Sequence, residues 1–83
     1  MDRYEITTMV RAQIERMLDD GLEFGDSDAL THYGLDSLRS VELTLNLESS
    51  FDLVFEDEEL DFENFGSVRR IVDLVAAKVG ADA

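Results

Sequence analysis

The sequence contains no cysteine and no proline. Without cysteine there can be no disulfide, thiolate metal site or cysteine nucleophile. No proline-rich or serine-rich linker divides the chain, and no internal repeat is visible. Histidine occurs once, as His32. Basic residues are scarce: 7 Lys and Arg stand against 20 Asp and Glu, a formal net charge of −13. A nucleic-acid surface needs clustered Lys and Arg, so that class is excluded. An anionic membrane surface is disfavoured for the same reason. No apolar run approaches the ~20 residues of a membrane span. The start, Met1-Asp2-Arg3-Tyr4, lacks the basic and apolar regions of a signal peptide. These absences predict a soluble, cytoplasmic protein. A partner with a basic docking patch would be steered toward it, and salt would weaken the encounter.

The 83 residues, 45% of them apolar, predict one domain over 1–83 with one modest core. Ile6, Met9, Val10, Ile14, Met17 and Leu18 recur at helical spacing, which predicts a helix over Arg3–Asp19. Asp2 with Glu5 resembles a capping box at its start, and Gly21 is its expected stop. Gly21 to Asp36 has no sustained period but carries Leu22, Phe24, Leu30, Tyr33 and Leu35. A connection this long is uncommon in a compact domain and is often functional. A second helix is predicted over Ser37–Phe51, with Asp36 as N-cap. Its apolar residues fall on two faces: Leu43, Leu47 and Phe51 on one, Leu38, Val41 and Leu45 nearly opposite. A simple bundle needs only one of them. A short third helix is expected over Asp61–Phe65, anchored by Phe62 and Phe65. Ser67 is a good N-cap for a last helix over Val68–Val79, whose stripe is Val68, Ile71, Val72, Val75 and Val79. The tail Gly80–Ala83 is expected to fray. The fold class is therefore all-α, with three main helices plus a short one.

Candidate chemistry is sparse. Ser37, His32 and Asp36 could be written as a catalytic triad, but residues so close in sequence cannot easily reach triad geometry, and no oxyanion motif accompanies them. The acidic run Asp57, Glu59, Asp61 lacks the glycine a calcium loop requires, since Phe62 stands there. Asp26 and Asp28 fail likewise, because Leu30 takes the third ligand position. The prediction is a non-enzyme without a dedicated metal site. Ser37 remains. A lone serine near a helix start is most simply a structural residue. This one follows a long loop and sits where a phosphate ester would meet backbone N–H groups and the positive end of the helix dipole. The Leu38/Val41/Leu45 face begins beside it. An unmodified adaptor that binds a partner helix through this face is the alternative from another class.

Gly34-Leu35-Asp36-Ser37-Leu38 resembles the phosphopantetheine attachment motif of the acyl and peptidyl carrier proteins. The resemblance extends over nearly the whole chain: the long first loop, Val41-Glu42-Leu43, Phe51, and Phe65-Gly66-Ser67-Val68. It implies a small four-helix bundle. It implies a 4'-phosphopantetheine arm, moved from coenzyme A onto Ser37 by a phosphopantetheinyl transferase. Asp36 would help the serine engage that enzyme and its magnesium. The arm would carry acyl or aminoacyl cargo as a thioester and deliver it to loading and downstream enzymes with basic docking patches. By position, Leu38, Val41 and Leu45, with Arg39, Glu42 and Glu48, match the face offered to partners. Arg39 stands where fatty-acid carriers often have an acid. With His32-Tyr33-Gly34, it points toward a free-standing monomeric carrier of polyketide or non-ribosomal peptide-type biosynthesis, with housekeeping fatty-acid synthesis as the alternative.

Overall fold

The computed structural model describes residues 2–18 and 24–80. Gly21, the expected stop of the first helix, lies outside the described residues, as do Asp19, Leu22, the tail beyond Gly80 and the side chain of Phe62. Three α-helices are present: α1 (Arg3–Met17), α2 (Ser37–Phe51) and α3 (Val68–Val79). Three short 3₁₀ turns fall between them, at Leu30–Tyr33, Asp57–Glu59 and Phe62–Phe65. The expected short third helix is thus a 3₁₀ turn rather than an α-helix. No strand occurs among the described residues.

Each helix starts on an acceptor side chain. Asp2 accepts from the Glu5 N–H at 2.8 Å, Asp36 from Arg39 at 2.8 Å and Ser67 from Arg70 at 3.3 Å. These bonds satisfy donors that have no partner within their own helix. At α1 only this forward half of the expected capping box is present among the described residues. Helix α1 also stops short of Asp19. Leu18 turns extended, at φ −96° and ψ 172°, while its N–H still reaches the Ile14 carbonyl.

Ile6, Val10, Ile14 and Leu18 of α1 are buried together with Leu43, Leu47 and Phe51 of α2 and Val68, Ile71, Val72 and Val75 of α3. Helix α1 packs against both other helices, and α2 meets the Phe62–Phe65 turn. Val79 departs from the expected stripe. It is one turn beyond Val75 at the end of α3, and it is exposed. Helix α2 is two-faced, as its spacing predicts: Leu43 and Leu47 are fully buried, whereas Leu38 is 70% exposed, Val41 55% and Leu45 60%.

This division predicts unequal costs of truncation. Leu47→Ala should cost about 2–5 kcal/mol through lost burial and the cavity left behind. Leu38→Ala should stay within about 0.5 kcal/mol, as is usual for an exposed site. Urea unfolding of the two variants decides it, and equal costs would mean that the faces of α2 are misassigned.

Candidate functional site

From Phe24 to Asp36 the chain before α2 is stitched down rather than free. The Arg11 guanidinium donates to the Asp26 carboxylate at 2.9 Å and to the Phe24 carbonyl at 2.9 Å, and it lies 4.5 Å from the Phe24 ring centroid. Phe24 in turn packs on Tyr33, with centroids 5.8 Å apart. One Asp28 oxygen accepts from the Gly25 N–H at 2.7 Å and from the Tyr33 hydroxyl at 3.1 Å. These bonds, the backbone one first, hold the Asp28 carboxyl below its ordinary value. The same bond to Asp28 pushes the Tyr33 phenol up. Two backbone bonds fasten the loop to the start of α3: Leu30 N–H to the Gly66 carbonyl and Arg69 N–H to the Asp26 carbonyl, both 2.8 Å.

Gly34 ends the Leu30–Tyr33 turn at φ 102°, a left-handed conformation that costs other residues strain. Buried Leu30 and Leu35 grip the core on either side of this reversal, and the Leu35 N–H reaches back to the Leu30 carbonyl. The result places Asp36 at the cap and Ser37 as the first residue of α2, exposed. No acidic side chain lies in the first turn of α2. A doubly or singly charged phosphate on Ser37 would therefore meet the positive helix end without local repulsion from that turn.

Beside Ser37 a groove of about 400 Å³ runs along α2. Ser37, Ser40, Thr44 and Glu48 line it from α2 together with Val41 and Leu45; Leu60, Asp61 and Phe65 line it from the segment before α3. Ser40 is 8% exposed, and its hydroxyl oxygen is buried without a hydrogen-bond partner. Thr44 donates to the Val41 carbonyl at 2.6 Å. The far wall is braced by Lys78, which donates to Glu59 at 2.6 Å and lies 5.8 Å from the Phe55 ring centroid. Phe55 meets Phe65 edge to face at 5.4 Å. Lys78, and after it the Glu56 N–H, holds the Glu59 carboxyl below its usual range.

Ser37, Asp36, Leu38, Val41 and Leu45 are thus brought to one end and one side of α2. Glu42 and Arg39 are exposed nearby. The Arg39 guanidinium donates to the Met17 carbonyl, tying the end of α1 to the start of α2. Glu48 is half-buried and accepts from the Phe55 N–H at 2.9 Å, so it supports the chain leaving α2 as well as flanking the face. One Asp36 carboxylate oxygen accepts from the Arg39 N–H, and among the described residues no hydrogen bond joins Asp36 to His32, the orienting bond a triad would require. Asp57 and Glu59 form a 3₁₀ turn, with Glu59 held by Lys78. Among the described residues no group of three or more His, Asp or Glu could hold a metal ion. Sequence reasoning missed Ser40, Thr44, Leu60 and Asp61. The signal available was the Ser40–Thr44 pair at helical spacing inside an apolar stretch; nothing local signalled the opposite wall.

The family described as "Phosphopantetheine attachment site" matches residues 6–75. A Buchnera aphidicola protein named acyl carrier protein is 36% identical over 55 residues, 66% of each chain. An Agrobacterium fabrum protein named aminoacyl carrier protein is 43% identical over 42 residues, 51% of each chain. The aligned stretches thus span less than two thirds of these relatives' own lengths. Among solved structures, a Toxoplasma-specific mitochondrial acyl carrier protein matches with TM-score 0.80 and 25% identity, covering 99% of this chain and 96% of that one. A chain in the structure of the Bradyrhizobium japonicum glycine:[carrier protein] ligase complexed with glycylated carrier protein matches with TM-score 0.68 and 28% identity, covering 87% and 96%.

The loop carries two testable consequences. An added Cβ at Gly34 meets nothing nearer than Leu18 at 3.9 Å, so Gly34→Ala should cost only its backbone strain, about 1–2 kcal/mol by chemical denaturation. Asp28 has a depressed folded-state value, so its contribution is present above the unfolded value near 3.8 and disappears as pH falls through the folded one. The stability difference between wild type and Asp28→Asn should be constant near neutrality and shrink below that pH. A difference that grows on acidification would contradict the assignment.

Proposed function

Because the chain belongs to the phosphopantetheine-attachment family of carrier proteins, we propose that Ser37 is the residue that receives the 4'-phosphopantetheine arm. The observation that carries this reading is the placement of Ser37: exposed, first in α2, behind a fastened loop and at the mouth of a groove. The residues present fit the group. The helix start accommodates its phosphate, and the groove offers both apolar walls and hydroxyls to the remainder of the arm. The arm supplies a thiol that holds cargo as a thioester, in a chain that has no cysteine of its own. The protein is a carrier and not a catalyst; Ser37 needs no activating base here, because a transferase would supply one.

Within this reading Asp36 holds the helix start through one carboxylate oxygen and offers the other to the transferase and its magnesium. Leu38, Val41 and Leu45 form the apolar centre of the partner surface. Glu42 and Glu48 give it negative charge that suits basic docking patches, and Arg39 tempers that charge beside Ser37. The cargo is acyl or aminoacyl, and the clientele is specialised polyketide or non-ribosomal peptide-type biosynthesis in the cytoplasm, served by a monomer. Relatives named aminoacyl carrier protein support the aminoacyl cargo. A housekeeping fatty-acid role is the second reading, favoured by relatives named acyl carrier protein.

Incubation with coenzyme A, magnesium and a broad-specificity phosphopantetheinyl transferase should add the mass of one arm to the intact protein. Ser37→Ala should abolish the gain. Wild type that stays unmodified with several transferases, or a variant that is still modified, defeats the assignment.

A further inference from the structure

The side chains of this sequence offer few groups that a thioester could acylate for good. There is no cysteine, and six of the seven basic residues are arginine, which stays protonated and is no nucleophile. Acylated His32 would be reopened by water. Serine, threonine and tyrosine hydroxyls need a base held against them. Lys78 is the one lysine, and an amide formed on it would last. It is also well enclosed. Its side chain is only 17% exposed, the least of the cations found in ion pairs among the described residues. Its Nζ donates to Glu59 at 2.6 Å and lies 5.8 Å from the Phe55 ring centroid. Glu59 is itself fixed. The carboxylate oxygen that takes the lysine also accepts from the Glu56 N–H at 2.7 Å, and the Glu59 carbonyl accepts from the Asn64 amide at 3.0 Å.

The amine stands near the limit of the arm. From the Ser37 oxygen to its sulfur the arm is roughly fourteen bonds, the backbone of about five residues, and spans about 16 Å when extended. Along α2, Ser37 and Glu48 are also about 16 Å apart at ~1.5 Å per residue. Glu48 bonds the Phe55 N–H at 2.9 Å, and the Phe55 ring is the one beside Lys78. A thioester at the tip therefore reaches the neighbourhood of Phe55. The four-carbon lysine stem covers the remainder once it leaves Glu59.

We propose that Lys78 is an acyl acceptor for the cargo on the arm, and that its clasp by Glu59 keeps it idle. The proposal rests on attachment at Ser37. In the transfer the lysine ammonium gives a proton to water, and the amine nitrogen attacks the thioester carbonyl. The C–N bond forms, the C–S bond breaks, and the sulfur leaves with the electron pair and takes up a proton. The acyl group ends as an amide on Lys78 and the arm as a free thiol, with no further reactant. Bonded to Glu59, the nitrogen is kept at the carboxylate instead of at the carbonyl. Glu59 is thus a positioning residue that acts on the cargo through Lys78, and opening the clasp makes the carrier a dead end for its own load.

Two measurements test this. The first uses the protein without its arm and a small amine-acylating reagent, N-hydroxysuccinimidyl acetate, with Lys78 labelling timed by peptide mass. Glu59→Gln removes the charge but keeps an acceptor oxygen for the Glu56 N–H. It should label Lys78 about tenfold faster than wild type, as expected for loss of a charged hydrogen bond. Melting temperatures confirm that the variant is folded. The second loads an acetyl group with the arm from acetyl-coenzyme A by a broad-specificity transferase. The protein is aged at about pH 9, where part of the lysine population is uncharged. Hydroxylamine then strips the thioester and spares an amide. Wild type should retain little acetyl, and Glu59→Gln should retain about tenfold more, on the Lys78 peptide. Adding Lys78→Arg, or Ser37→Ala with the same acetyl-coenzyme A present, should abolish it. Equal labelling of wild type and Glu59→Gln, retained acetyl that maps elsewhere, or equal retention in the Ser37→Ala variant would overturn this inference alone. Failure of wild type to gain the arm would overturn the reading of Ser37 and, with it, the arm as acyl donor.

Discussion

Burial of Leu43, Leu47 and Phe51 fixes the rotation of α2 about its own axis, and that rotation decides where every other side chain of the helix points. With those three against the core, Ser37 must stand at the helix start on the groove side. Leu38, Val41 and Leu45 must face outward. The Ser40–Thr44–Glu48 row must fall between. A one-residue slip would rotate the helix by ~100° and turn Ser37 and the Ser40–Thr44–Glu48 row away from their present places beside the groove. The hydrophobic core is therefore what aims the site, although no core residue of α2 belongs to it.

The second requirement is a fixed starting point for α2. It is met by local devices acting on short stretches of chain. Gly34 reverses the backbone, Leu30 and Leu35 anchor either side of it, and Asp36 caps the helix. Arg39 adds a tie across to the end of α1. Arg11, Asp28 and the Phe24–Tyr33 pair hold the preceding loop. This arrangement explains how an exposed serine can be well placed in a chain whose net charge of −13 works against compaction. Arg3 with Asp73, Arg11 with Asp26 and Lys78 with Glu59 form ion pairs between other elements, and Arg39 is the one basic residue on α2 itself.

Much of this was legible in the residues. The N-caps Asp36 and Ser67, the span of α2 and its two apolar faces followed from spacing, because helical period and capping are local properties. The motif around Ser37 was equally plain. The 3₁₀ turns were harder to see. At Leu30–Tyr33 and Asp57–Glu59 the pattern is too short to show a period, and tertiary bonds such as Leu30 to Gly66 and Glu59 to Lys78 select the conformation. The groove was invisible for a related reason. Ser40 and Leu60 are 20 positions apart, and only the packed fold makes them opposite walls. Arg39 and Glu48 read as surface charges because a side-chain bond to a distant backbone group leaves no trace in composition.

The two walls of the groove are built differently. One is a continuous α-helix; the other is an irregular segment clasped by Lys78 from the end of α3. Helix α2 can behave as a rigid beam, whereas the Leu60–Phe65 side can shift by adjusting a few turn dihedrals and one ion pair, without breaking a helical ladder. Width, and not length, is then the compliant dimension of the cleft. The ion pair that clasps this more compliant wall, Lys78 with Glu59, comes from the C-terminal turn of α3.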